Sequence, residues 1–154
     1  MKRKIIFNNV YPILESLKSK NNTHLQYFII KNIKKIKEEI EIAKDLLKDE
    51  EYDEYTKKRI ELCIKYSEKD DLGNAKLDKD KYVIKETEMD NFNKDMNSLQ
   101  TEYQLIIQGF IKKENDVLEE DIDIDFYKIK MENLPNDLNY NELSILEDMG
   151  VVIE

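Results

Sequence analysis

One run of residues limits what this chain can fold into more than any other. Leu25, Ile29, Ile33, Ile36, Ile40, Ala43 and Leu47 recur at intervals of 4, 4, 3, 4, 3 and 4. Only an α-helix brings such positions onto one side, and a helix of about 23 residues is ~35 Å long at 1.5 Å per residue. The opposite side carries Lys31, Lys34, Lys35, Glu38, Glu41 and Lys48. A second stripe of Met89, Phe92, Met96, Leu99, Tyr103, Ile106 and Phe110, spaced 3, 4, 3, 4, 3 and 4, predicts another helix over 87–113. An isolated amphipathic helix is marginal in water, so each stripe needs a partner. Antiparallel packing of the two long helices against each other is the expected solution.

The remaining segments are shorter. Met1 to Phe7 reads as a short strand with a basic lead-in, and Asn8 or Asn9 as the cap of a helix through Leu17 that tolerates Pro12 in its opening turn. A shorter helix is expected from Asp53 to Glu68, with Tyr55, Arg59, Leu62, Cys63 and Tyr66 along one side. Asp70-Asp71-Leu72-Gly73-Asn74 has turn chemistry, and a short strand follows around 81–85. Ile122, Ile124 and Phe126 alternate with Asp121, Asp123 and Asp125, the two-residue period of a half-buried strand. Ile129 and Met131 fall out of phase with that set, which places a bulge near Phe126 and Tyr127 within a strand around 121–131. Asn139 or Asn141 caps a last short helix that Gly150 stops, and Val151–Ile153 reads as a final strand. The expected fold is α+β, predominantly helical, in a single domain over 1–154.

Composition removes whole classes of function. Only 3 Gly and 2 Pro argue against a sandwich or barrel, and 40% hydrophobic residues argue against disorder despite 38% charged ones. A single cysteine, Cys63, excludes a disulfide framework and a Cys-based zinc site, and the lone His24 excludes a multi-histidine metal centre. No apolar run approaches a membrane span, and Met1-Lys2-Arg3-Lys4-Ile5-Ile6-Phe7 turns polar at Asn8, so a cytoplasmic location without membrane partners is expected. Asp121, Asp123 and Asp125 with Glu132 have the outline of a calcium loop, but its sixth position requires Gly and here is Phe126. Gly73, Gly109 and Gly150 are too far apart for a phosphate loop. No catalytic residue, metal or cofactor is therefore assigned.

Charge is unevenly distributed. Residues 1–48 carry 11 basic and 5 acidic side chains, 49–113 carry 12 and 16, and 114–154 carry 2 and 13, for a total of −9. In one reading, the basic first part and the acidic tail attract one another, within a protomer or between protomers. In the other, Lys31, Lys34 and Lys35 join Lys57, Lys58 and Arg59 in a local basic pocket for an anionic ligand. An acidic chain lacks the broad positive face that extended nucleic acid needs, whereas a small nucleotide needs only a few placed donors. Tyr27, Lys31, Lys34, Lys35, Arg59, Lys65 and Tyr66 form the candidate ligand set, with rings to stack on a base and cations to hold phosphate.

Beyond these local signals, the order of segments resembles a group of small proteins encoded by tailed phages and prophages. The resemblance rests on the basic N-terminal stretch and helix, Tyr27-Phe28-Ile29-Ile30-Lys31-Asn32-Ile33, and the run from Arg59-Ile60-Glu61-Leu62 to Asp70-Asp71-Leu72-Gly73-Asn74. The Phe92/Met96/Leu99 helix and Leu143-Ser144-Ile145-Leu146-Glu147 near the end complete it. It implies a non-enzymatic phage accessory protein of the host bacterial cytoplasm, and supplies no chemistry. Counter-defence is the leading expectation: a homo-oligomer that binds a host immune protein or sequesters a small anionic nucleotide signal. The alternatives are a virion or tail-assembly protein acting through helix–helix self-association, and an acidic mimic that blocks a DNA-binding partner.

Overall fold

The computed structural model describes residues 1–154, predominantly helical with a few short strands. The chain forms two compact units: Met1–Leu47 with Glu114–Glu154, and Lys48–Lys113.

In the first unit the expected N-terminal strand is a helix. Arg3–Ile5 (α1) continues through a π-helical turn at Ile6–Val10 into Tyr11–Leu17 (α2). Arg3, Ile6, Val10, Leu14 and Leu17 are all buried, a helical spacing that the apolar run Ile5-Ile6-Phe7 conceals in the sequence. Only Lys2 makes a bridge, antiparallel to Asp121. Pro12 has no N–H and so removes the donor that an α-helical turn would offer to the carbonyl of Asn8, at the place where the wider turn occurs.

The long helix is present as Thr23–Leu46 (α3), capped by the Asn22 side chain, which accepts from the Leu25 N–H at 2.9 Å. Its stripe is core: Leu25, Ile29, Ile33 and Ile36 are buried in a cluster that includes Leu14, Leu17, Phe126, Leu146 and Val151, Ile40 packs against it, and Ala43 is buried as well. Ile122, Ile124 and Phe126 point inward and Asp121, Asp123 and Asp125 outward, as the alternation predicts. Regular pairing begins only at Ile129–Lys130 (β3), which lies parallel to Val152–Ile153 (β4). Between them stands α7, here defined as Tyr140–Asp148, closed by a capping box of Asn139 and Glu142 and ended by Gly150 at φ 60°.

In the second unit, Glu50–Tyr66 (α4) starts three residues earlier than expected because the Asp49 side chain accepts from the Tyr52 N–H at 3.0 Å. A hairpin pairs Leu77–Asp78 (β1) with Lys81–Tyr82 (β2), and Lys79 and Asp80 take positive φ between them. The second stripe is divided between Met89–Glu102 (α5) and Gln104–Glu119 (α6), because Tyr103 leaves helical dihedrals at φ −99°, ψ 13°. Its partner is α4, not the long helix α3 that the sequence suggested. Tyr66 meets Phe92, Tyr55 meets Tyr103 and Tyr52 stacks on Phe110, so α4 runs antiparallel to the stripe. Each stripe thus has a partner within its own unit.

Arg3 ties the first unit together. Its buried guanidinium donates to Glu39 of α3 at 2.8 Å, and to the Glu120 carboxylate and the Val117 carbonyl at 2.7 and 2.6 Å. Substituting Arg3→Met leaves the Glu39 carboxylate, itself largely covered, without its donor. The expected cost is about 2–3 kcal/mol, read as a lower urea midpoint with an unchanged slope.

Candidate functional site

The candidate ligand set is divided between the units. Tyr27, Lys31, Lys34 and Lys35 belong to α3 of the first unit, and Arg59, Lys65 and Tyr66 to α4 of the second.

On the first unit, geometry begins with a buried polar residue. Asn32 is fully buried on the apolar side of α3, and a carboxamide there requires partners. It finds them in one residue: the Tyr127 N–H donates to Asn32 Oδ1 at 2.8 Å, and Asn32 Nδ2 donates to the Tyr127 carbonyl at 3.2 Å. This two-bond clamp fixes the extended tail across the helix and sets the Tyr127 ring beside α3. The Lys31 ammonium lies 5.3 Å from the Tyr27 ring centroid and 5.6 Å from that of Tyr127, and the Lys35 ammonium lies 5.0 Å from Tyr127. Lys35 also donates to the Asp125 carbonyl and lies 3.6 Å from its carboxylate. Lys31 has no carboxylate partner and is held by the two rings alone.

Next to these rings is a cleft of about 270 Å³ lined by His24, Tyr27, Phe28, Tyr127, Lys128, Ile129, Lys130, Asn133 and Ile153. Its walls hold three aromatic rings, an imidazole and two lysines, and no acidic side chain. Tyr27 is 58% exposed, which leaves ring surface open to a ligand. Lys34 points elsewhere, lining a separate groove with Ile30 and Ile33.

The second unit uses its lysines differently. Lys65 donates to the Tyr66 hydroxyl at 2.9 Å, and that hydroxyl donates to Asp95 at 2.6 Å. Lys58 donates to the Tyr103 hydroxyl at 2.6 Å, which donates to Glu54 at 3.1 Å. Both lysines are held above their ordinary pKa, first by the phenol oxygen that accepts from each and then by the carboxylate. The groove between α4 and α5, about 440 Å³, sets Lys58 and Lys65 against Glu61, Asp95 and Glu102. Its cations are already neutralised. Arg59, expected on the packed side of α4, is exposed.

Of the residues singled out in the sequence, the structure brings Tyr27, Lys31 and Lys35 together, and beside them it sets Tyr127, Lys128 and Lys130, which the sequence reading did not include. The overlooked signal was Asn32, a polar residue on the apolar arc of its helix that announces a buried partner. Comparison with protein-family models, with curated proteins and with solved structures gives no match.

Two outcomes test these arrangements. Asn32→Ala leaves the Tyr127 backbone without its side-chain partners, so a loss of about 1–3 kcal/mol and faster exchange of the Tyr127 amide are expected by hydrogen exchange. In the second unit, the Tyr66 hydroxyl and then Lys65 hold the Asp95 carboxyl below its usual range. That contribution is complete above the ordinary carboxylate pKa of about 3.9 and drains as pH falls below it. Asp95→Asn should accordingly flatten the fall in melting temperature between about pH 4 and pH 2 relative to the parent chain.

Proposed function

We propose that this chain is a non-enzymatic binding protein that sequesters an anionic nucleotide, acting in the bacterial cytoplasm as a phage counter-defence protein against a host immune signal. The observation that carries the reading is the Lys31 ammonium, held by two tyrosine rings without a carboxylate, beside a cleft whose walls bear no acid. A nucleotide offers both complements. Its phosphate pairs with Lys31 and with Lys128 or Lys130, and its base stacks on the open face of Tyr27. Lys128 donates to the Gly150 carbonyl at 2.5 Å and Lys130 lies 3.5 Å from the exposed Glu132, so both must turn a short distance to reach the ligand.

A small cleft of this kind suits one base and its phosphate rather than a polymer, in keeping with the acidic net charge. Arg59, Lys65 and Tyr66 have no part in this version of the site. A second reading, an acidic mimic of a phosphate backbone, has one observation in its favour: Asp121, Asp123 and Asp125 all face solvent along one edge, with the Asp125 side chain 98% exposed.

Equilibrium dialysis of the purified chain against a panel of cyclic mono- and dinucleotides, followed by heating to release intact ligand, tests sequestration. Depletion of at least one nucleotide is expected, with Tyr27→Ala weakening binding roughly 5–150-fold, the equivalent of about 1–3 kcal/mol for a lost base stack. Lys31→Ala should weaken it at least about tenfold. Unchanged free nucleotide at excess protein across the panel refutes the reading. If host interference instead persists without nucleotide binding and is lost on changing Asp121, Asp123 and Asp125 together to Asn, the acidic-mimic reading takes its place.

A further inference from the structure

Asn8 and Asn9 lie in the π-helical turn at Ile6–Val10, and Asn141 in the first turn of α7. Asparagine is a weak helix former, and in this unit Asn22, Asn32 and Asn139 compensate by capping a helix or holding a backbone segment. Asn8, Asn9 and Asn141 do neither: their side chains are exposed and make no hydrogen bond within the chain. They converge instead, with the unpaired Ser144 hydroxyl, on a cleft of about 350 Å³ between α2 and α7. Pro12, Ile13 and Ile145 supply its apolar surface. In a chain of which 38% of residues are charged, this cleft has no charged side chain in its walls. The turn that carries Asn8 and Asn9 is itself of a rare kind that occurs frequently at functional sites.

We infer that this cleft binds a short, extended and uncharged peptide segment of a partner protein through its backbone. A carboxamide offers a donor and an acceptor side by side, and a peptide unit matches them with its own carbonyl and N–H. The molecule already makes that pairing once, where Asn32 holds the Tyr127 backbone by both bonds. Asn8, Asn9 and Asn141 present the same group without a partner, and Ser144 adds a hydroxyl. Main-chain hydrogen bonds of this kind give affinity, and the apolar surface of Ile13 and Ile145 selects an aliphatic side chain between them. A phosphate or a charged peptide finds no counter-charge here. No aromatic ring lines the cleft for the flat face of a base or sugar to stack on.

A displayed library of short random peptides, selected on the immobilised chain, tests the inference. Enriched peptides are resynthesised with both ends capped and titrated by fluorescence anisotropy. Uncharged sequences with an aliphatic residue are expected, bound with little change between about 0.05 and 0.5 M salt. The double substitution N9A/N141A should weaken them about tenfold or more, and a scan of N-methylated peptide bonds should find at least one loss of similar size. Circular dichroism, expected unchanged because alanine is the better helix former, separates loss of binding from loss of fold. Absence of enrichment over the N9A/N141A chain overturns the inference, as do peptides that bind both chains alike or bind only at low salt. Retention of a neutral glucose trimer by the parent chain but not by N9A/N141A, with no peptide retained, assigns the cleft to a sugar and likewise overturns it.

Discussion

A single buried carboxamide governs the candidate site. Asn32 occupies a position on α3 where the neighbouring residues Phe28, Ile29, Ile33 and Ile36 are all apolar and buried. Removing a carboxamide from water is costly unless its donor and acceptor are both met, and only the Tyr127 backbone meets them. The requirement works in both directions. Tyr127 lies in a segment without strand pairing, so its own N–H and carbonyl depend on Asn32 in turn. From this one register follow the Tyr127 ring beside Lys31 and Lys35, the inward set of Ile122, Ile124 and Phe126, and the outward set of aspartates.

Charge completes the arrangement. The basic opening stretch and the acidic tail belong to the same unit, where Lys2 and Lys4 meet Glu119, Arg3 meets Glu120, Lys20 meets Asp137 and Lys35 meets Asp125. This is the intramolecular form of the attraction that the charge distribution suggested. Most of these pairs are exposed and contribute little to stability, although together they engage five of the eleven cations of the first 48 residues. Against that background, Lys31 is met differently. Its charge is met by ring faces, which attract a cation without cancelling it and leave it available to an anion.

Much of the fold could be read from residue spacing, and the failures have physical causes. The α3 stripe, the Asn139 cap and the Gly150 stop were all legible because they rest on local backbone chemistry, whereas the Asn22 cap reads as part of a turn. Ile5-Ile6-Phe7 reads as strand because three apolar residues in a row hide a helical set that includes Arg3, whose burial depends on distant Glu39 and Glu120. The stripe over 89–110 was correctly helical, but periodicity names a face and not its partner, and α4 covers it. Arg59 illustrates the same limit. A lysine close in sequence to a tyrosine was visible at both Lys31 and Lys65, whereas the feature that separates them, a carboxylate in one case and none in the other, comes from residues remote in sequence.

The central claim is that an unneutralised lysine and open aromatic rings on the first unit make a nucleotide site. Its most direct measurement is the perturbation of side-chain aromatic resonances as a nucleotide that the chain retains is titrated in. Upfield ring-current shifts confined to Tyr27, Phe28, Tyr127 and His24, and abolished in Lys31→Ala, are the predicted result. Shifts centred on Tyr66 and Tyr103 instead, with these four resonances unmoved, would contradict it.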